Sequence, residues 1–89
     1  MKAVITVLGK DTVGILAKVS AACAEEGVNI IEVTQSVMQD LFAMIMLADM
    51  SNSKVSVDEL TNKLDKVTND MGMKVHVMHE DIFNSMHKI

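Results

Sequence analysis

The chain contains no proline, no tryptophan and no tyrosine, and it holds one cysteine, two phenylalanines and four glycines among 89 residues. Each shortage excludes something. With so little proline and glycine, and with 49% hydrophobic against 22% charged residues, the composition is that of a folded globule and not of a linker or a disordered segment. A lone Cys23 cannot close an intrachain disulfide. Phe42 and Phe83 are too few to form a stacking platform for single-stranded RNA. The basic residues are scattered lysines, Lys2, Lys10, Lys18, Lys54, Lys63, Lys66, Lys74 and Lys88, outweighed by 12 acidic residues to a net charge of -4. That leaves no phosphate-backbone footprint, so nucleic acid is not an expected partner. The longest apolar stretch, residues 41–48, falls far short of the roughly 20 residues a bilayer-spanning helix needs. No membrane partner is expected, and because the start leads straight into a strand and not into a signal-peptide core, the expected location is cytoplasmic.

What is present is strong periodicity. Residues 3–8 alternate Ala3, Ile5 and Val7 with Val4, Thr6 and Leu8, so both faces are largely apolar and the strand is expected inside a sheet. Ile15, Leu16, Val19, Ala22 and Cys23 then recur at helical spacing, with Lys18, Glu25 and Glu26 opposite, until Gly27 stops the helix. Residues 28–38 read as a half-buried strand, Ile31, Val33 and Val37 against Glu32, Thr34 and Ser36, the pattern of a sheet edge. Gln39 and Asp40 turn the chain into residues 41–50, where Leu41, Ala43, Ile45 and Leu47 alternate with Phe42, Met44, Met46, Ala48 and Met50. Both faces are apolar again. Ser56 and Glu59 fit a capping box opening a helix with the stripe Val57, Leu60, Leu64, Val67 and Met71, closed by Gly72. Residues 73–78 resume strand alternation.

The order is strand, helix, strand, strand, helix, strand. Right-handed crossovers and a tight central hairpin predict an α+β fold, a ferredoxin-like βαββαβ sandwich, with a four-stranded antiparallel sheet in the order fourth, first, third, second and two helices on one face. Residues 1–89 form one domain with a modest core. The arrangement leaves one apolar sheet face uncovered, either Phe42, Met44, Met46 and Met50 or the opposite set. A short C-terminal helical tail, residues 79–89, can cover part of it through Ile82, Phe83 and Met86, or pack at an interface. Uncovered apolar surface with a free strand edge predicts a homodimer, formed edge to edge or face to face over the methionines. The nine methionines themselves suit either an adaptable partner surface or a core.

The turn Gly9-Lys10-Asp11-Thr12-Val13-Gly14-Ile15 is the candidate ligand site. Two glycines let the backbone approach a small molecule, and the start of the first helix offers N–H groups and a positive dipole to a carboxylate or phosphate. The competing reading needs no ligand: Gly9 closes a strand, and Asp11 or Thr12 caps a helix. Other groups read as structural. His76, His79 and His87 lack a Cys or acidic partner at a diagnostic spacing, so no metal and no cofactor is expected. Cys23 sits on the buried stripe as a small core residue and not as a nucleophile, and no catalytic residue is assigned.

Three segments carry a resemblance: Val7-Leu8-Gly9-Lys10-Asp11-Thr12-Val13-Gly14-Ile15, Ala24-Glu25-Glu26-Gly27-Val28-Asn29-Ile30, and the hairpin from Thr34-Gln35-Ser36-Val37 through Leu41-Phe42-Ala43-Met44. Over nearly its whole length the chain resembles an ACT domain, specifically the free-standing bacterial UPF0237 proteins. Similar domains occur in regulators related to the glycine cleavage repressor and at the front of formyltetrahydrofolate deformylases. The resemblance implies a non-catalytic regulatory module that binds an amino acid or similar small effector near the first loop, at a dimer interface. The carboxylate would meet N–H groups around Val13, Gly14 and Ile15, the ammonium Asp11, and the Asn29 amide would donate and accept, with Thr12 in the same turn and Ile15 and Val28 shaping an apolar rim. The alternative is a structural protein–protein interaction module with no small ligand of its own.

Overall fold

A computed structural model describes residues 1–10 and 14–86, with Met38, Asp70 and Met86 described by their backbone alone. Four strands, β1 (Lys2–Lys10), β2 (Asn29–Met38), β3 (Leu41–Asp49) and β4 (Lys74–His79), form one antiparallel sheet in the order β2-β3-β1-β4. Helices α1 (Ile15–Glu25) and α2 (Val57–Thr68) are the two crossovers, and α3 (Glu80–Met86) follows β4. The predicted order and antiparallel sense are those observed. No helix among the described residues is long and apolar enough to cross a membrane.

Register decides what each face carries, because residues directly across an antiparallel pair share a face. Ile5 pairs with Met46 and Val77, and Val7 with Met44 and Val75. That face lies under α1 and α2, and it supplies the core together with Phe42, Val19, Cys23, Leu60 and Leu64, all buried. The methionine phase of β3 therefore faces inward. A face-to-face dimer that buries the methionines, one of the two expected geometries, is ruled out by this register: Met44, Met46 and Met50 are already covered by the helices. The opposite phase, Leu41, Ala43, Ile45 and Leu47, lies on the other face, where Leu41 is 47% and Ile45 40% exposed.

Local sequence explains the boundaries. Gly27 (φ 75) ends α1 in a Schellman turn, its N–H donating to the Ala24 carbonyl at 3.1 Å and the Val28 N–H to that of Cys23 at 2.9 Å. A Cβ on Gly27 would collide with the carbonyl oxygen of Asn52, where the loop before α2 crosses, and the Lys54 N–H donates to the Glu26 carbonyl at 2.8 Å beside it. At α2 the expected capping box is present: the Glu59 N–H donates to Ser56 Oγ at 3.2 Å, and the Ser56 N–H donates to Glu59 Oε1 at 3.1 Å. This helix stops at Thr68, so Met71, assigned to its stripe from sequence, belongs to a 3₁₀ turn over Asn69–Met71. Thr68 is buried instead, its hydroxyl donating to the Leu64 carbonyl at 2.8 Å. Lys63 ties α2 to α1, reaching Glu26 at 2.6 Å and Glu25 at 2.9 Å.

Two further details depart from the sequence reading. Leu16, counted on the buried stripe of α1, is 36% exposed, because Ile15, Val19, Ala22 and Cys23 fill the contact by themselves. In β2 the register shifts between Ile30 and Glu32, a bulge that takes Ile31 out of the alternating phase.

Candidate functional site

β1 runs through Gly9 to Lys10. Gly9 does not close the strand: a Cβ there would strike the Met73 sulfur and crowd the Gly72 carbonyl, so this glycine serves the packing of β1 against the approach to β4. Asp11, Thr12 and Val13 lie outside the described residues. Gly14 is the N-cap of α1, at φ 87 and ψ 4, a left-handed conformation that costs a glycine nothing. Open space surrounds the position a Cβ would take among the described residues, so backbone conformation and not packing calls for glycine there.

The cap has consequences for charge. Among the described residues no side chain caps α1, and its first turn contains no acidic residue. The competing reading, in which the Asp11 or Thr12 side chain caps this helix, lies outside the described residues; the cap position itself falls on Gly14. The first N–H groups of an α-helix have no intrahelical acceptor and carry the positive end of its dipole. Among the described residues they have no side-chain acceptor either.

The remaining members of the expected site separate. Ile15 and Val28 are buried in the core, and the Ile15 N–H lies at the helix start. Asn29 is exposed at the first position of β2, opposite Asp49. Lys10 is opposite Leu41. The eight steps of β3 from Leu41 to Asp49 separate the two positions by roughly 26 Å at the usual rise of a strand. Within one chain the first turn and Asn29 therefore stand at opposite ends of the sheet.

Of the groups read as structural from sequence, Cys23 is buried in the core and His87 lies outside the described residues. Burial pushes the Cys23 thiol up to about 11, the Lys63 ammonium partly opposing it. Ser51 donates its hydroxyl at 2.6 Å and its N–H at 2.9 Å to Asp49 Oδ1, holding that carboxyl below its ordinary range. Hydrogen bonds to Glu26 and then Glu25 raise Lys63. His79 Nδ1 accepts the Asp81 N–H at 3.0 Å. Among the described residues no group of three His, Cys, Asp or Glu side chains is placed to hold a metal ion.

Sequence reasoning missed a cavity of about 240 Å³ between α3 and the sheet face that α1 and α2 leave open. Glu32 and Thr34 of β2 and Glu80 and Asn84 of α3 supply its polar walls. The available signals were the polar phase of β2 and the helical spacing of the tail. Neither shows that the two meet. Phe83 of the tail does line this cavity, whereas Ile82 is exposed.

Residues 2–78 match the ACT domain family. The chain is 47% identical to a UPF0237 protein of Clostridium acetobutylicum over the full length of both. Among solved structures it is similar to an ACT domain protein from Streptococcus pneumoniae, with 36% identity, a TM-score of 0.80 and 98% of each chain covered. It is also similar to the regulatory subunit of aspartate kinase from Thermus thermophilus, 27% identical with a TM-score of 0.65, over 85% of this chain and 49% of that one. With the ferredoxin-like topology, the match over both crossovers and the full-length relatives from Clostridium acetobutylicum and Streptococcus pneumoniae taken together, the chain belongs to the ACT domain family, in its UPF0237 group.

Proposed function

We propose that the chain binds an amino acid or similar small effector at the β1–α1 turn, and that a second copy completes the site. The observation that carries this reading is the start of α1, opened by Gly14 in the left-handed conformation and without a side-chain cap among the described residues. Backbone N–H groups there suit the effector's carboxylate, while Asp11 suits its ammonium. Asn29 joins them only from another molecule. If two β2 edges pair antiparallel about a twofold axis, the first residue of one β2 lies beside the last residues of the other. Met38 pairs with Leu41, which in turn pairs with Lys10, so that end of β2 is the end at which the first turn leaves the sheet. The exposed Val33 and Val37 of β2 support such a contact.

Calorimetric titration of the full chain with the twenty amino acids tests the reading, repeated on Asp11→Asn, Gly14→Asn and Asn29→Ala. Asn tolerates the left-handed region better than other side chains with a Cβ, so Gly14→Asn separates the site from simple misfolding. The expected outcome is one saturable amino acid, with binding weakened at least tenfold by Asp11→Asn and Asn29→Ala in folded protein. Equal binding by wild type and all three variants removes the site. Absence of binding across the panel, with a stable dimer, favours the interaction module without a small ligand.

A further inference from the structure

We propose that the groove between α3 and the open face of the sheet binds a small organic cation, an amine carrying a short apolar body. This site is separate from the effector site at Gly14. Register stacks its floor: Glu32, Leu47 and Val4 lie across from one another in one row, Thr34 and Ile45 in the next. Val4 points away from α1 and α2, yet it is only 4% exposed. α3 covers it, with Phe83 closing one side of the cavity. Val4, Ile45, Leu47 and Phe83 thus form an apolar trough with a carboxylate from each wall, Glu32 from the sheet and Glu80 from the helix.

Charge decides the class of occupant. Among the described residues no lysine lines the groove. Among the described residues neither Glu32 nor Glu80 makes an ion pair or a side-chain hydrogen bond. An anion would meet two carboxylates and, among the described residues, no cationic side chain, and a neutral apolar molecule would desolvate the acids without return. An ammonium group satisfies both acids, with Thr34 and Asn84 as further acceptors, while the apolar body rests on Ile45 and Leu47. At about 240 Å³ the groove lies below the roughly 300–1,000 Å³ of drug-sized pockets, which limits that body to one ring or a short alkyl chain.

The test is a titration of the isotope-labelled full chain with phenethylamine, followed through backbone amide shifts, against 2-phenylethanol and 3-phenylpropionate as neutral and anionic counterparts. Saturable shifts at Thr34, Leu47 and Asn84 with phenethylamine, weaker ones with the alcohol and none with the acid are expected. Glu32→Gln and Glu80→Gln should each weaken phenethylamine roughly two- to fivefold, as for a solvent-exposed ion pair. The same spectra report whether each variant is folded. Phenethylamine that fails to move these amides, or that binds the folded double variant as tightly as wild type, overturns the proposal. So do groove amides that shift on dilution of the unliganded protein, because a second copy would then be the occupant.

Discussion

Cys23 is the residue whose environment makes the sharpest prediction. Its thiol is buried among the core side chains of α1, and burial disfavours the thiolate, raising the group from 9.0 to about 11. Between those values the unfolded chain loses the proton and the folded chain keeps it. The unfolded state then binds fewer protons, so stability falls as pH rises through this window. By pH 10 the loss from this group should be roughly 1 kcal/mol. Urea unfolding of wild type and Cys23→Ala at pH 7 and pH 10 isolates it, since the lysines titrate in both proteins. Wild type should lose its advantage at the higher pH, and an unchanged difference would show that the thiol is not perturbed. The sequence made Cys23 legible as a core residue because it falls on the helical stripe. Thr68 was not legible in that way. A hydroxyl reads as polar until its own helix is seen to offer the Leu64 carbonyl one turn back.

At the scale of elements, the end of α1 at Gly27 and the start of α2 at Ser56 were the best determined parts of the chain. The capping box at Ser56 and Glu59 is local chemistry, written in four consecutive residues and independent of tertiary context. Ser56→Ala should cost about 1 kcal/mol by chemical denaturation, the usual effect of removing an N-cap hydroxyl. An effect near zero would mean that tertiary contacts alone hold the first turn of α2. The strands were legible in type and order, and less so in facing. β1 and β3 are apolar in both phases, so alternation could not decide which set meets the helices. That choice is settled by where the crossovers pack. The bulge at Ile31 was hidden for a related reason, since one inserted residue leaves composition unchanged and shifts only the pairing. The first turn was recognised as the candidate site from its two glycines, yet they act differently: Gly14 serves backbone conformation and Gly9 serves packing. Asn29 was grouped with that turn by resemblance, and strand register sets the two at opposite ends of the sheet within one chain.

At the scale of the whole molecule, two surfaces compete to make the proposed dimer. One is the edge of β2, where Val37 is 55% exposed; the other is the open face, where Leu41 and Ile45 stand out. Val37→Glu and Ile45→Glu separate them. Pairing through the edge predicts that Val37→Glu yields monomer by sedimentation at micromolar concentration while Ile45→Glu leaves the dimer intact. The reverse result would assign the contact to the open face and put the proposed two-copy effector site aside. Wild type that sediments as a monomer throughout would exclude both.

The two borders of the sheet are unequal. β2 offers ten residues along one border, and β4 offers six along the other before the chain turns into α3. A sheet with two good borders is a tile that can be laid end on end, and a protein made of such tiles is at risk of growing into fibres. Here one border is long enough to recruit a neighbour, and the other is short and carries Lys74 and His76 on its exposed side. Two molecules joined at their long borders would show only short ones to the solution. Growth would stop at a pair, and the length of β4 would thereby set the size of the assembly.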